Sequence, residues 1–164
     1  MGGAYPLRQC AVMDKEEQKH MDRVEEARRT LLALYGGSHS PLEESDPDFA
    51  AIKQRLVYGE LYAQEALDPV MRELILLAVA TTNQTMSEVK LHTCAALRSG
   101  ASPEAVKEAV YHCAPYIGLG KAEAAAAAVN EVLRTQGISL PLASQRTVSE
   151  EERLTAGIAA QKSI

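Results

Sequence analysis

The stretch DPVMRELILLAVATTNQTMSEVKLHTCAALRSG, residues 68–100, carries the pattern of two successive helices. Asp68 is a candidate N-cap with Pro69 at the first helical position, where a missing N–H costs nothing. From Val70 to Ala80 apolar residues cover most of the helix circumference, which predicts a central helix. Thr85-Met-Ser-Glu88 has the form of a capping box, a hydroxyl at the cap and a carboxylate three residues on. It opens a helix through Leu97, and Gly100 closes it.

Outward from this pair the punctuation repeats. Asp46-Pro47 predicts a helix through about Ala63, and Ser102-Pro103 another to about Ala114, before Pro115 and Gly118 interrupt the chain. An Ala-rich helix follows from Lys121 to Leu133, with small faces that admit a close neighbour and Gly137 as its stop. Nearer the start, Asp14 with Glu17 caps an amphipathic helix carrying Val24, Ala27, Leu31 and Leu34, which ends at Gly36-Gly37. Residues 38–45 read as a loop. Beyond Pro141 the composition turns polar, and Ser149 with Glu152 predicts a capping box for a short helix ending near Gln161. No segment alternates with period two, so the expectation is an all-α fold of six or seven helices. The chain divides into an N-terminal extension, 1–45, a core, 46–137, and a C-terminal tail, 138–164.

Composition narrows the functions. A chain of 164 residues builds one modest core, and with no Trp and one Phe that core must be aliphatic. The 17 basic and 22 acidic residues are scattered and give a net charge of -5, with no basic block to neutralise phosphates, so nucleic acid is excluded as a partner. No apolar run is long enough to span a bilayer, and the start lacks a signal-peptide core, so a cytoplasmic, membrane-free protein is expected. Cys10, Cys94 and Cys113 are odd in number and lack CxxC spacing, which predicts neither a disulfide framework nor a metal site.

Few residues are candidates for chemistry. Glu73 lies inside the apolar helix, where a carboxylate must pair, meet a pocket or take up a proton, because burying it alone costs several kcal/mol; the bland alternative is a salt bridge on a face that reaches water. Glu88 and His92 are four apart and share a helix face, so the carboxylate can orient the imidazole, although such pairs are also common surface contacts. Glu60, between Tyr58 and Tyr62, lines either a polar pocket or a subunit seam. Cys94 and Cys113 read as packing residues.

In order along the chain stand Tyr58-Gly-Glu60-Leu-Tyr62, Leu67-Asp68 with Arg72-Glu73-Leu74, Glu88-Val-Lys-Leu-His92, Ala96-Leu-Arg98-Ser-Gly100, and Glu108 through Ala114-Pro-Tyr116-Ile-Gly118. This set resembles the carboxymuconolactone decarboxylase family over about residues 48–134. The resemblance implies an alkyl hydroperoxidase D-like helical bundle built around a central hairpin, assembled as a homotrimer or homohexamer with pockets near subunit boundaries. In the hydroperoxidase D-like relatives a Glu precedes a CxxC, and a His follows the second Cys by three residues. Glu73 and His92, 19 residues apart, match that Glu and His, while the cysteine positions fall at Thr85 and Glu88. The peroxidase cycle is thereby disfavoured. Against the lactone decarboxylases, Tyr58 and Tyr62 stand in place of tryptophans and Glu73 in place of a Ser.

The expected function is a cofactor-free lyase or isomerase working on a small anionic carbonyl or lactone acid, with no metal. Glu73 and His92 would move the proton, with Glu88 orienting the ring. Tyr58 or Tyr116 would add a hydrogen bond, Glu60 would line the pocket and Arg72 would attract the substrate carboxylate. The rivals are a thiol-dependent antioxidant and a non-catalytic oligomeric scaffold.

Overall fold

A computed structural model describes residues 23–37, 42–64 and 66–163. Among these lie seven α-helices of eight or more residues, one single-turn helix and no strand, so the fold is all-α as expected. They are α1 (Arg23–Tyr35), α2 (Pro47–Gln54), α3 (Pro69–Asn83), α4 (Met86–Arg98), α5 (Pro103–Tyr111), the single turn α6 (Ala114–Ile117), α7 (Leu119–Thr135) and α8 (Arg153–Lys162). The Asp14–Glu17 cap, Cys10 and the 38–41 part of the predicted loop lie outside the described residues.

Two of the predicted caps form as read. The Asp68 carboxylate accepts from the backbone N–H groups of Val70 and Met71 at 3.0 and 3.1 Å, and Ser102 Oγ accepts from Ala105 N–H at 3.1 Å. Each satisfies a donor that a helix start leaves unpaired, worth about 1 kcal/mol. Asp46 caps nothing with its side chain, which instead accepts from the Ser45 hydroxyl. The box at Thr85 is also not built: the Thr85 hydroxyl turns back to the Ala80 carbonyl at 3.3 Å, and Glu88 is engaged elsewhere. Ser149 and Glu152 do bond one another, one step before α8 begins.

The main core gathers Leu77 of α3, Val89 and Ala96 of α4, Val106 and Val110 of α5, and Ala125, Val129 and Leu133 of α7. Alanines at 122, 125 and 128 give α7 a low-relief buried face, which lets α4 and α5 pack against it. Truncating a side chain such as Leu77 here would cost about 2–5 kcal/mol. On α3 the buried positions are Glu73, Leu77, Ala80 and Thr81, one face only, while Met71, Ile75 and Val79 stand about half exposed. The helix is central on one side and open on the other. Gln84, in the left-handed conformation (φ 59°), reverses the chain so that α4 returns along α3, and its amide donates to the Thr81 and Lys121 carbonyls.

The helix predicted through Ala63 changes character. After Gln54 it widens into a π-helical stretch, Arg55–Leu61, and then tightens to a 3-10 turn, Tyr62–Gln64. The wide turn sets Tyr58 and Gly59 against α1. There Ala27, Leu31 and Leu34 join Tyr58, Tyr62 and Ala95 in a second cluster, whereas Val24, expected on the same face, is exposed. Gly59 is required at this contact: a Cβ there would stand 2.1 Å from the Arg23 carbonyl oxygen.

Candidate active site

The α3–α4 hairpin brings two titratable side chains into contact inside the protein. Glu73 is 0% exposed and His92 9%, and His92 Nδ1 lies 2.9 Å from Glu73 Oε2. With the carboxylate as acceptor, Nδ1–H donates, which fixes the ring's orientation and leaves Nε2 as the nitrogen available for other work. Helical spacing explains the meeting. Glu73 occupies the same face as Leu77, Ala80 and Thr81, and His92 the same face as Val89, Ala95 and Ala96.

Charged groups continue the contact in both directions. Arg72 Nε is 3.4 Å from Glu73 Oε1, and its Nη1 donates to the Tyr62 carbonyl oxygen at 3.4 Å while the guanidinium carbon stands 3.9 Å from the Tyr62 ring centre. Arg72 is thus held by charge and by the aromatic face together. On the other flank, His92 Nε2 is 3.6 Å from Glu88 Oε2, beyond hydrogen-bond reach, and Glu88 Oε1 is 3.4 Å from Lys53 Nζ. The row Arg72, Glu73, His92, Glu88, Lys53 sets each carboxylate between two nitrogen-bearing side chains and runs from interior to surface. Its two ends differ in energy. The half-exposed Lys53–Glu88 pair contributes at most about 1 kcal/mol, while stripping a partner from buried Glu73 would cost about 3–5 kcal/mol.

Three tyrosines back the row. Tyr35 meets Tyr58 edge-on with ring centres 5.8 Å apart, and Tyr58 meets Tyr62 at 5.2 Å. Burial pushes the Tyr35 and Tyr62 phenols far above their usual range, and the Glu73 carboxylate raises Tyr62 further. The Tyr62 hydroxyl is buried beside Glu73 without a well-formed hydrogen bond. Tyr58 is also raised, by burial first. All three therefore stay protonated at neutral pH.

Of the residues expected from sequence, Glu73, His92, Glu88 and Arg72 come together, with Tyr58 stacked behind them. Glu60 lies on the surface, where it accepts from Arg23 Nη1 at 2.8 Å. Tyr116 is 88% exposed on α6, a helix that packs on α7. Lys53 and Tyr35 are additions, and Tyr62, named from sequence only as a neighbour of Glu60, stands against Arg72. Lys53 reaches Glu88 across 35 residues of sequence, and no local pattern announces that meeting.

The thiols stand apart from the row. Cys113 is buried, its S–H directed at the Ala109 carbonyl 3.3 Å away, and Cys94 is half-buried on α4. Burial raises both thiols above their ordinary range, with Arg98 pulling Cys94 partly back. Among the described residues no three His, Cys, Asp or Glu side chains are arranged to hold a metal ion, and no helix is long and apolar enough to cross a membrane.

Comparison with known proteins matches this architecture. A 4-carboxymuconolactone decarboxylase from Acinetobacter baylyi is 29% identical over 98 residues, which cover 60% of this chain and 73% of the relative. The profile of the Carboxymuconolactone decarboxylase family matches residues 47–131, a span that runs from the start of α2 into α7 and encloses the whole charged row. This chain belongs to the carboxymuconolactone decarboxylase family.

Proposed function

We propose that the protein is a cofactor-free lyase or isomerase acting by acid–base chemistry on a small carboxylated carbonyl or lactone compound. The observation that carries the reading is the buried contact between Glu73 and His92. A carboxylate occupies a fully buried position where it is costly, and its one short partner is an imidazole. The name of the Acinetobacter relative favours a carboxylated lactone and the loss of carbon dioxide.

The chemistry asks for little. As the bond to the departing carboxylate breaks, its electron pair spreads onto the neighbouring carbonyl, giving an enolate and carbon dioxide. A proton on His92 Nε2 is then delivered to the carbanion carbon, and the ring regains a proton from solvent. Glu73, holding Nδ1–H, keeps the ring aimed and balances its charge while it is protonated. Glu88 stands beside Nε2 and Lys53 beside Glu88 at the surface end of the row, where an anionic substrate would meet Lys53. An isomerase would use the same nitrogen to remove and return a proton.

The subunit is further proposed to self-associate, as a homotrimer or homohexamer, through the stripe Met71, Ile75 and Val79. Three half-exposed apolar side chains at i, i+4 spacing support this. Sedimentation showing a monomer at micromolar concentration would remove that part.

The deciding experiment follows carbon dioxide release from 4-carboxymuconolactone and related lactone acids. His92→Ala and Glu73→Gln should each lower turnover by a factor of about 100 or more with oligomer size unchanged. Full turnover by His92→Ala would sink the mechanism, and no turnover of any carboxylated lactone by the wild type would sink the substrate class.

A further inference from the structure

Behind Tyr62, on the flank of Glu73 opposite His92, α1 and the N-terminal ends of α3 enclose a cleft of about 670 Å³ together with the last turn of α4. Three arginines line it, Arg29, Arg72 and Arg98. Its two carboxylates are already committed. Glu26 pairs with Arg29, and Asp68 accepts the two N-terminal amides of α3. Arg72 shares its charge with Glu73. Arg98 has no carboxylate partner among the described residues, and Gly36, at φ 81°, leaves room for its guanidinium to lie against the end of α1, 3.3 Å from where a Cβ would stand. Arg98 is thus the arginine of the cleft left without a carboxylate among the described residues, and Leu34, Leu67 and Ser99 line the cleft with it.

We propose that this cleft is a second ligand site, which binds a small organic carboxylate by charge-assisted hydrogen bonds to Arg98 and Arg72 and covers its apolar body with Leu34 and Leu67. The cleft depends on α1, which precedes the family match at residues 47–131, so the site belongs to this chain's own N-terminal helix and goes beyond the activity proposed for the charged row. It is also in contact with that row. A ligand carboxylate engaging Arg72 competes with Glu73 for the same guanidinium, 3.4 Å away, and so bears on the partner of His92. The bland account of Arg98 is a cation placed at the C-terminal end of α1, where it meets the helix dipole.

Calorimetric titration of the intact protein with benzoate and succinate, against benzamide and inorganic phosphate, separates these accounts. The expected result is saturable binding of a carboxylate, weakened about tenfold or more when the amide replaces it. Arg98→Gln should weaken binding by a similar factor and Arg98→Lys by less; because binding is read directly, failure of the proposed catalysis leaves this result readable. Thermal melts of the same variants report any loss of α1 packing. Equal binding of phosphate and organic carboxylates, or carboxylate binding unchanged in Arg98→Gln, would overturn the proposal. So would the absence of binding at millimolar carboxylate.

Discussion

Glu73 Oε2 and His92 Nδ1 lie 2.9 Å apart in the interior although 19 residues separate them in sequence. Because Glu73 is also within 3.4 Å of Arg72, its removal strands two partners at once. Glu73→Leu is therefore expected to cost about 3–5 kcal/mol of stability, and adding His92→Leu should cost less than the two single changes summed. Urea denaturation of the four proteins gives the coupling; additivity within about 0.3 kcal/mol would mean that the two side chains do not depend on each other.

The thiols give a second expectation. Burial raises Cys94 and Cys113, so in the folded protein both keep their protons at a pH where an unfolded thiol, with a pKa of about 8.5, begins to ionise. Site-resolved alkylation at pH 8 should be slow at both positions in buffer and fast in urea. Cys94→Ser with Cys113→Ser should leave turnover largely intact. Hydroperoxide reduction that disappears with either thiol would instead place the protein among redox enzymes.

Tyr35, Tyr58 and Tyr62 make stability fall in alkali. Their folded-state pKa values lie above the unfolded value of about 10, so the folded state holds these protons more tightly. The stabilisation is fully present below pH of about 10 and is lost as pH rises beyond it toward the raised values. Melting temperature should drop across that window, and Tyr35→Phe with Tyr62→Phe should flatten the fall. A double variant with the wild-type slope would assign the alkaline loss to other groups.

Gly59→Ala tests the seat of α1. The added methyl would stand 2.1 Å from the Arg23 carbonyl oxygen, a backbone atom that cannot swing aside. The expected cost is about 1–3 kcal/mol, with faster amide exchange concentrated in α1. Protection of α1 equal to that of the wild type would show that the helix accommodates the methyl without leaving its place.

Much of this architecture is legible in the sequence because it is written locally. Asp68-Pro69 and Ser102-Pro103 mark helix starts whose side-chain bonds form as expected, while the approach of Glu73 to His92 is implied by the family resemblance. What stays hidden depends on distant partners. Thr85 and Glu88 have the residues of a capping box, yet Glu88 is drawn to Lys53 and His92 instead. Nothing in Arg55 to Leu61 announces a π-helical turn, whose Tyr58 and Gly59 pack against α1, a partner remote in sequence. The all-round apolar pattern of α3 likewise does not tell which side the subunit buries.

Gln84 and the tight reversal it makes bear on the order in which the molecule assembles. Closing a loop of 19 residues costs little chain entropy, so α3 and α4 can align and bring Glu73 to His92 through short-range search alone. The ring contact between Tyr35 and Tyr58 instead joins α1 to the π-helical turn, across the chain between α1 and α2. The expected order is the α3–α4 hairpin with its Glu73–His92 contact first, and α1, which completes the arginine cleft, after it. Slowed folding in Val89→Ala, against accelerated unfolding in Leu31→Ala, would bear this sequence out; the reverse pattern would invert it.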